Sequence, residues 1–125
     1  MIASTPEPPY WAVIFTSIQT AELEGYDAMS EAMERLGSQQ PGYLGLESAH
    51  GELGITISYW TDLDAIAAWR AELRHAAAQS QGRSRWYAAY KTRIARVERD
   101  YGFDAGAADD SAFAVRNTGQ NGGSP

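Results

Sequence analysis

Apolar and polar positions alternate along the chain with two periods, and the switches between them mark out the elements. Tyr10-Trp11-Ala12-Val13-Ile14-Phe15-Thr16-Ser17-Ile18 is dense in aromatic and β-branched side chains and predicts a strand buried on both faces. Tyr26, Met29, Met33 and Leu36 then recur at helical spacing, with Glu24, Asp27, Glu31, Glu34 and Arg35 off that stripe, so an amphipathic helix follows. Gly37 and Pro41-Gly42 end it. Tyr43 to Ala49 predicts a second strand with Leu44 and Leu46 on one face. His50-Gly51-Glu52-Leu53-Gly54 is a short turn, and Ile55-Thr56-Ile57-Ser58-Tyr59-Trp60 alternates strictly as a third strand; the short link makes these two a hairpin.

Thr61-Asp62-Leu63-Asp64 fits a capping box ahead of a second helix, in which Ile66, Trp69 and Leu73 share a face. An alanine-rich stretch from Arg74 to Gln81 extends that helix to a stop at Gly82. Arg83 to Ala89 is compatible with a further short helix, and Tyr90 to Val97 predicts a fourth strand. In that strand Val97 falls on the wrong parity, which a bulge near Ala95 or Arg96 would repair.

The order β-α-β-β-α-β predicts an α+β, ferredoxin-like fold: a four-stranded antiparallel sheet with both helices on one face. The other face is left bare. An apolar sheet face on a monomer marks an interface, and burying it against a second copy gives a homodimer. The domain is expected over residues 10–103. Residues 1–9, with Pro6, Pro8 and Pro9, form a mobile lead-in, and the small, polar, glycine-rich residues 104–125 a disordered tail.

At 125 residues the chain has room for a single domain with a modest core. There is no cysteine, which removes disulfides, thiolate metal sites and cysteine nucleophiles. Met1-Ile2-Ala3-Ser4-Thr5-Pro6 lacks the basic and apolar regions of a signal peptide, and no run approaches the ~20 apolar residues of a membrane span. A cytoplasmic protein that does not enter membranes is expected. The net charge is −6, divided as −9 over residues 1–64, +5 over 65–103 and −2 over 104–125. The acidic total speaks against nucleic acid as a partner. The basic block leaves three readings open: an anionic ligand, an acidic partner surface, or a solvated face.

Four tryptophans and seven tyrosines could wall an aromatic pocket or fill the core; both readings stay open for Trp11, Trp60, Trp69 and Trp86. His75 is a candidate general base or an exposed helical histidine, and His50 belongs to the hairpin turn. Two histidines so placed make no metal site. The strand hydroxyls of Thr16, Ser17, Thr56 and Ser58 could orient a phenolic ligand or be satisfied internally. Arg83, Arg85, Arg93, Arg96 and Arg99 could hold an anion or be solvated.

Pro41-Gly42-Tyr43-Leu44-Gly45 and Ile57-Ser58-Tyr59-Trp60-Thr61-Asp62, followed by Ala65, Ile66 and Trp69 and then by Trp86-Tyr87 and Tyr90, resemble the antibiotic-biosynthesis-monooxygenase family over roughly residues 10–103. The resemblance implies a dimeric α/β barrel. It also implies a monooxygenase that uses O2 on a small electron-rich aromatic, anthrone- or quinol-like, with no metal and no cofactor. With the resemblance, His75, Trp69 and Tyr87 are the expected catalytic residues, and Trp86, Tyr59, Trp60, Phe15, Thr16, Met29 and Met33 the expected substrate contacts. The haem-degrading branch of the family carries an Asn, a Trp and a His. Here only Trp69 matches, since Thr16 and Gln79 occupy the other two positions. The anthrone-oxidising branch uses a Trp, an Asn, a Tyr and an Arg, whereas Asn117 and Asn121 of this chain lie in its tail. A non-catalytic dimeric binding or accessory protein is the alternative, and a haem-binding or haem-degrading protein a third.

Overall fold

A computed structural model describes residues 1–21, 23–80 and 86–106, with the side chains of residues 75–80 outside that description. Its elements are β1 (Tyr10–Gln19), α1 (Tyr26–Ser38), β2 (Tyr43–Ala49), β3 (Gly54–Trp60), α2 (Leu63–Ser80) and β4 (Tyr87–Val97). The strands form one antiparallel sheet in the order β2-β3-β1-β4, the ferredoxin-like α+β arrangement expected from the sequence.

Register decides which residues look at the helices. Trp11, Val13 and Phe15 of β1 pair with Trp60, Ser58 and Thr56 of β3, and Val13 and Trp60 join Ile66 and Trp69 of α2 in the buried core. The opposite face carries Ala12, Ile14 and Thr16 paired with Tyr59, Ile57 and Ile55. So the side of β3 richer in aliphatic residues faces away from the helices, and the Thr-Ser-Trp side lies beneath them.

Two glycines let the helices approach. At Gly42 φ is +87°, and a Cβ there would lie 2.6 Å from the Ala65 methyl and 2.7 Å from the Thr61 hydroxyl. The Gly42 carbonyl accepts the Thr61 N–H at 2.9 Å, which ties the start of β2 to the start of α2. A Cβ on Gly37 would meet the Trp69 ring at 3.3 Å, so the bare glycine sets how closely α1 lies on that indole.

Four local expectations are corrected. Asp62, not Thr61, caps α2: its Oδ1 accepts the Ala65 N–H at 2.8 Å, while the Thr61 hydroxyl donates to Asp62 Oδ2. The β2–β3 register shifts between Tyr43 and Gly45, leaving Leu44 as the extra residue, so Tyr43 and Leu46 share the helix-facing side instead of Leu44 and Leu46. β4 begins at Tyr87 and not Tyr90, which removes Tyr87 to Ala89 from the supposed short helix. Pairing between β1 and β4 is unbroken from Tyr10↔Val97 to Ile18↔Ala89. The irregularity lies at Ile18/Gln19, and no bulge occurs at Ala95 or Arg96. The expected stop at Gly82 and most of the 104–125 tail lie outside the described residues.

Candidate functional site

The two helices and the sheet enclose a cleft of about 410 Å³, within the size range of small-molecule sites. Its floor is the helix-facing side of the sheet, with Val13 and Phe15 from β1, Thr56 and Ser58 from β3, and Tyr90 and Thr92 from β4. Tyr26, Met29 and Met33 project from α1 because they occupy one stripe of that helix; Trp69 and Leu73 do the same from α2.

One end of the cleft is aromatic. Phe15 contacts Tyr87 and Tyr90, each with ring centres 5.4 Å apart, and Tyr26 meets Tyr87 edge-on at 6.0 Å. Trp86 closes this end. Its indole N–H donates to the Glu24 carbonyl at 2.9 Å and its own carbonyl accepts the Thr20 N–H at 2.8 Å, so it pins the start of β4 to the segment ahead of α1. The other end is the core. Trp60 is wholly buried, stacks on Trp69 at 5.9 Å, meets Tyr43 edge-on at 5.6 Å and donates its N–H to Ser58 Oγ at 2.8 Å. That last bond uses the oxygen of one of the two hydroxyls β3 offers to the cleft as an acceptor. Burial, and then the nearby Glu34 carboxylate, push the Tyr43 phenol above its ordinary pKa.

Of the expected site residues, Trp69, Tyr87, Trp86, Trp60, Phe15, Met29 and Met33 come together around this cleft. Thr16 and Tyr59 do not. Thr16 pairs with Ile55 on the far side of the sheet, and Tyr59 lies on that same side, where its hydroxyl donates to Glu47 Oε1 at 2.7 Å. Strand parity excludes both from the cleft. The His75 and Gln79 side chains, and Arg83 and Arg85, lie outside the described residues. His50 stands at the cleft's hairpin end. Arg93 pairs with Ile14 on the far face, and Arg96 is bonded to Glu98 at 2.8 Å. Tyr26, Tyr43, Tyr90, Arg70 and Arg74 line the cleft but were not among the expected contacts. For the arginines the signal was present in the sequence: each directly follows an inward residue of α2, Trp69 or Leu73.

The far face has its own polar arrangement. Glu47 Oε2 accepts the Ala3 N–H at 2.9 Å, and the Tyr10 hydroxyl donates to Asp100 at 2.7 Å while accepting from Thr5 at 3.0 Å. Residues 3 and 5 thereby reach across one end of that face. Burial first, and then the Glu47 hydrogen bond, raise the Tyr59 pKa. Among the described residues, no group of three or more His, Asp or Glu could hold a metal ion, and no helix is long and apolar enough to cross a membrane.

Comparison with known proteins places this geometry among relatives. Over 101 residues the chain is 48% identical to the uncharacterized protein YqjZ of Bacillus subtilis (strain 168), an overlap of 78% of this chain and 88% of that protein. No family model matches the chain. Among solved structures, PA3566 of Pseudomonas aeruginosa has a TM-score of 0.58 at 17% identity, covering 76% of this chain and 98% of its own. A Chloroflexus aurantiacus protein, named provisionally as an antibiotic biosynthesis monooxygenase, has a TM-score of 0.53 at 16% identity, covering 78% and 99%. At such identities the likeness establishes the shared monooxygenase-like fold.

Proposed function

The chain belongs to the family of the Bacillus subtilis protein YqjZ and has the fold of the antibiotic biosynthesis monooxygenases, and on that premise we propose that it is a cofactor-independent monooxygenase acting with O2 on a small electron-rich aromatic, anthrone- or quinol-like. The observation that carries the reading is the cleft of about 410 Å³, walled by Phe15, Tyr26, Tyr87 and Tyr90 at one end and by Trp69 at the other. Aromatic walls take a flat ring by stacking and edge contacts.

Such a substrate supplies its own electrons. Once a ring methylene of an anthrone-like compound loses a proton, the resulting enolate can pass an electron to O2. In the net reaction one oxygen atom becomes the ring carbonyl, and the other leaves as water with the two methylene hydrogens. The protein has to bind the ring, exclude bulk water and stabilise the anion. In this reading His75 takes the proton, Tyr87 orients the oxygenated substituent and Trp69 holds the ring. Among the described cleft residues, Glu34 and His50 are the further groups able to accept a proton.

The reading also makes the protein a homodimer, set in the cytoplasm. Ile14, Ile55 and Ile57 lie half-exposed on the sheet face that no helix covers, with Ile18 more exposed beside them. A two-fold pairing of that face would bury them.

Oxygen uptake on adding anthrone or a naphthohydroquinone tests the proposal. Turnover is expected, reduced about 10²-fold in His75→Ala and about tenfold in Trp69→Ala and Tyr87→Phe. Full activity in all three variants would show the site assignment to be wrong. A second reading, a module that binds its ligand without altering it, draws on the Trp60–Ser58 bond, which diverts a cleft hydroxyl to structure. Recovery of the ligand unchanged after aerobic incubation would favour that reading.

A further inference from the structure

Helix α2 sends Ile66, Trp69 and Leu73 toward the sheet. Arg70 and Arg74 each follow one of these by a single residue, which turns them about 100° around the helix to the edge of the inward stripe. Both line the cleft, one helical turn apart. Both are exposed, and among the described residues neither guanidinium has an ion pair or a hydrogen-bonding partner. Two like charges at this spacing work against the helix, a cost that an anion lying between them removes.

The setting makes the pair conspicuous. The chain as a whole carries −6, yet Glu34 is the one acid among the described residues of the cleft. It stands on α1, so Glu34, Arg70 and Arg74 together give the rim a formal charge of +1. A guanidinium offers a planar fork of donors that matches a carboxylate in two-point contact. The remaining lining is aromatic, aliphatic or hydroxylic, apart from the Met29 and Met33 thioethers and the His50 imidazole at the hairpin end.

Resting on the proposal that the cleft takes a flat aromatic, we infer that its ligand is an aromatic carboxylate, with the ring between the tyrosine-rich end and Trp69 and the carboxylate held by Arg70 and Arg74. A single negative charge balances the rim. A phosphate monoester carries nearly two, and Glu34 would repel the second.

The test is binding of 2-naphthoate and of the isosteric neutral 2-naphthamide, followed by quenching of the tryptophan fluorescence. In the unsubstituted protein naphthoate is expected to bind about tenfold more tightly than the amide. The preference falls to about threefold in Arg70→Gln or Arg74→Gln and disappears in the double variant, while the amide affinity holds. Glu34→Gln strengthens naphthoate binding about twofold, and raising the salt concentration weakens the preference. Equal binding of acid and amide overturns the inference and leaves the aromatic cleft standing. Binding of neither probe overturns the aromatic reading and this inference together. Tighter binding of 2-naphthyl phosphate than of naphthoate overturns the assignment to a carboxylate.

Discussion

The two faces of the sheet handle their aromatic residues in opposite ways. Beneath the helices, Trp60 stacks on Trp69 and meets Tyr43 edge-on, and the Trp60 N–H turns inward to Ser58. On the uncovered face, Tyr10 and Tyr59 meet edge-on at 5.8 Å and send their hydroxyls to carboxylates, Asp100 and Glu47. The covered face leaves a cleft with aromatic walls. The uncovered face has polar groups partnered at one end and a patch of isoleucines at Ile14, Ile55 and Ile57. The first face thus encloses a cleft between sheet and helices, and the second leaves half-exposed isoleucines that no helix covers; the proposed ligand belongs to the one and the proposed second copy to the other.

The largest effect expected from a single substitution is at Trp60, the side chain at which the helices, sheet and cleft floor meet. Trp60→Ala should cost about 3–5 kcal/mol, read as a lower urea midpoint. A loss below about 1 kcal/mol, in the range of an ordinary surface substitution, would mean that the core does not depend on the stack with Trp69. On the other face, Ile57→Lys separates interface from surface. If two copies pair there, the buried ammonium should raise the dimer dissociation constant by about 10²-fold, seen by analytical ultracentrifugation. The folded protomer should change little, since Ile57 is not part of the helix-side core. An unchanged assembly state would remove the uncovered face from consideration as the interface.

The same contrast explains what could be read from the sequence. The element order was legible because α1 and α2 carry helical stripes and β3 alternates strictly. The assignment of faces was not. Both sides of β1 are apolar, with Tyr10, Ala12 and Ile14 on one and Trp11, Val13 and Phe15 on the other, so no pattern says which lies beneath the helices. On β3 the aliphatic side proves to be the uncovered one. Tyr59 and Thr16, which the resemblance set among the substrate contacts, stand on the opposite face. The start of β4 was hidden because Tyr87-Ala88-Ala89 has the composition of a helix end as readily as of a strand. The cap of α2 slipped by one residue because Thr61 and Asp62 both have N-cap chemistry, and only geometry shows which carboxylate or hydroxyl reaches the Ala65 N–H. Of the cleft, the stripes at Tyr26, Met29 and Met33 and at Trp69 and Leu73 were visible from spacing. The rim arginines were overlooked because a helical arginine is ordinarily a solvated one.

The smallest effect is the one that compares the two faces through their tyrosines. Tyr43, on the helix side, has its pKa raised by burial and by charge repulsion from Glu34. Tyr59, on the uncovered side, has its pKa raised by burial and then by its bond to Glu47. A phenol whose pKa is raised in the folded protein favours the fold in its neutral form. Its contribution is complete below the unfolded value of 10.0 and is lost as the pH climbs from there through the folded value. Tyr59→Phe should therefore cost about 1 kcal/mol near neutrality, the worth of one hydrogen bond to a carboxylate in a half-buried setting. That deficit should shrink as the pH passes 10, because the wild-type protein loses stability there and the phenylalanine variant has no phenol at this position to titrate. Urea midpoints of both proteins at about pH 8 and about pH 11 supply the comparison. Glu47→Gln should lower the Tyr59 pKa in an alkaline absorbance titration and leave Tyr43 where it was, since the two phenols answer to different carboxylates on different faces. A Glu47 substitution that moved both would mean that the faces are electrostatically coupled through the sheet.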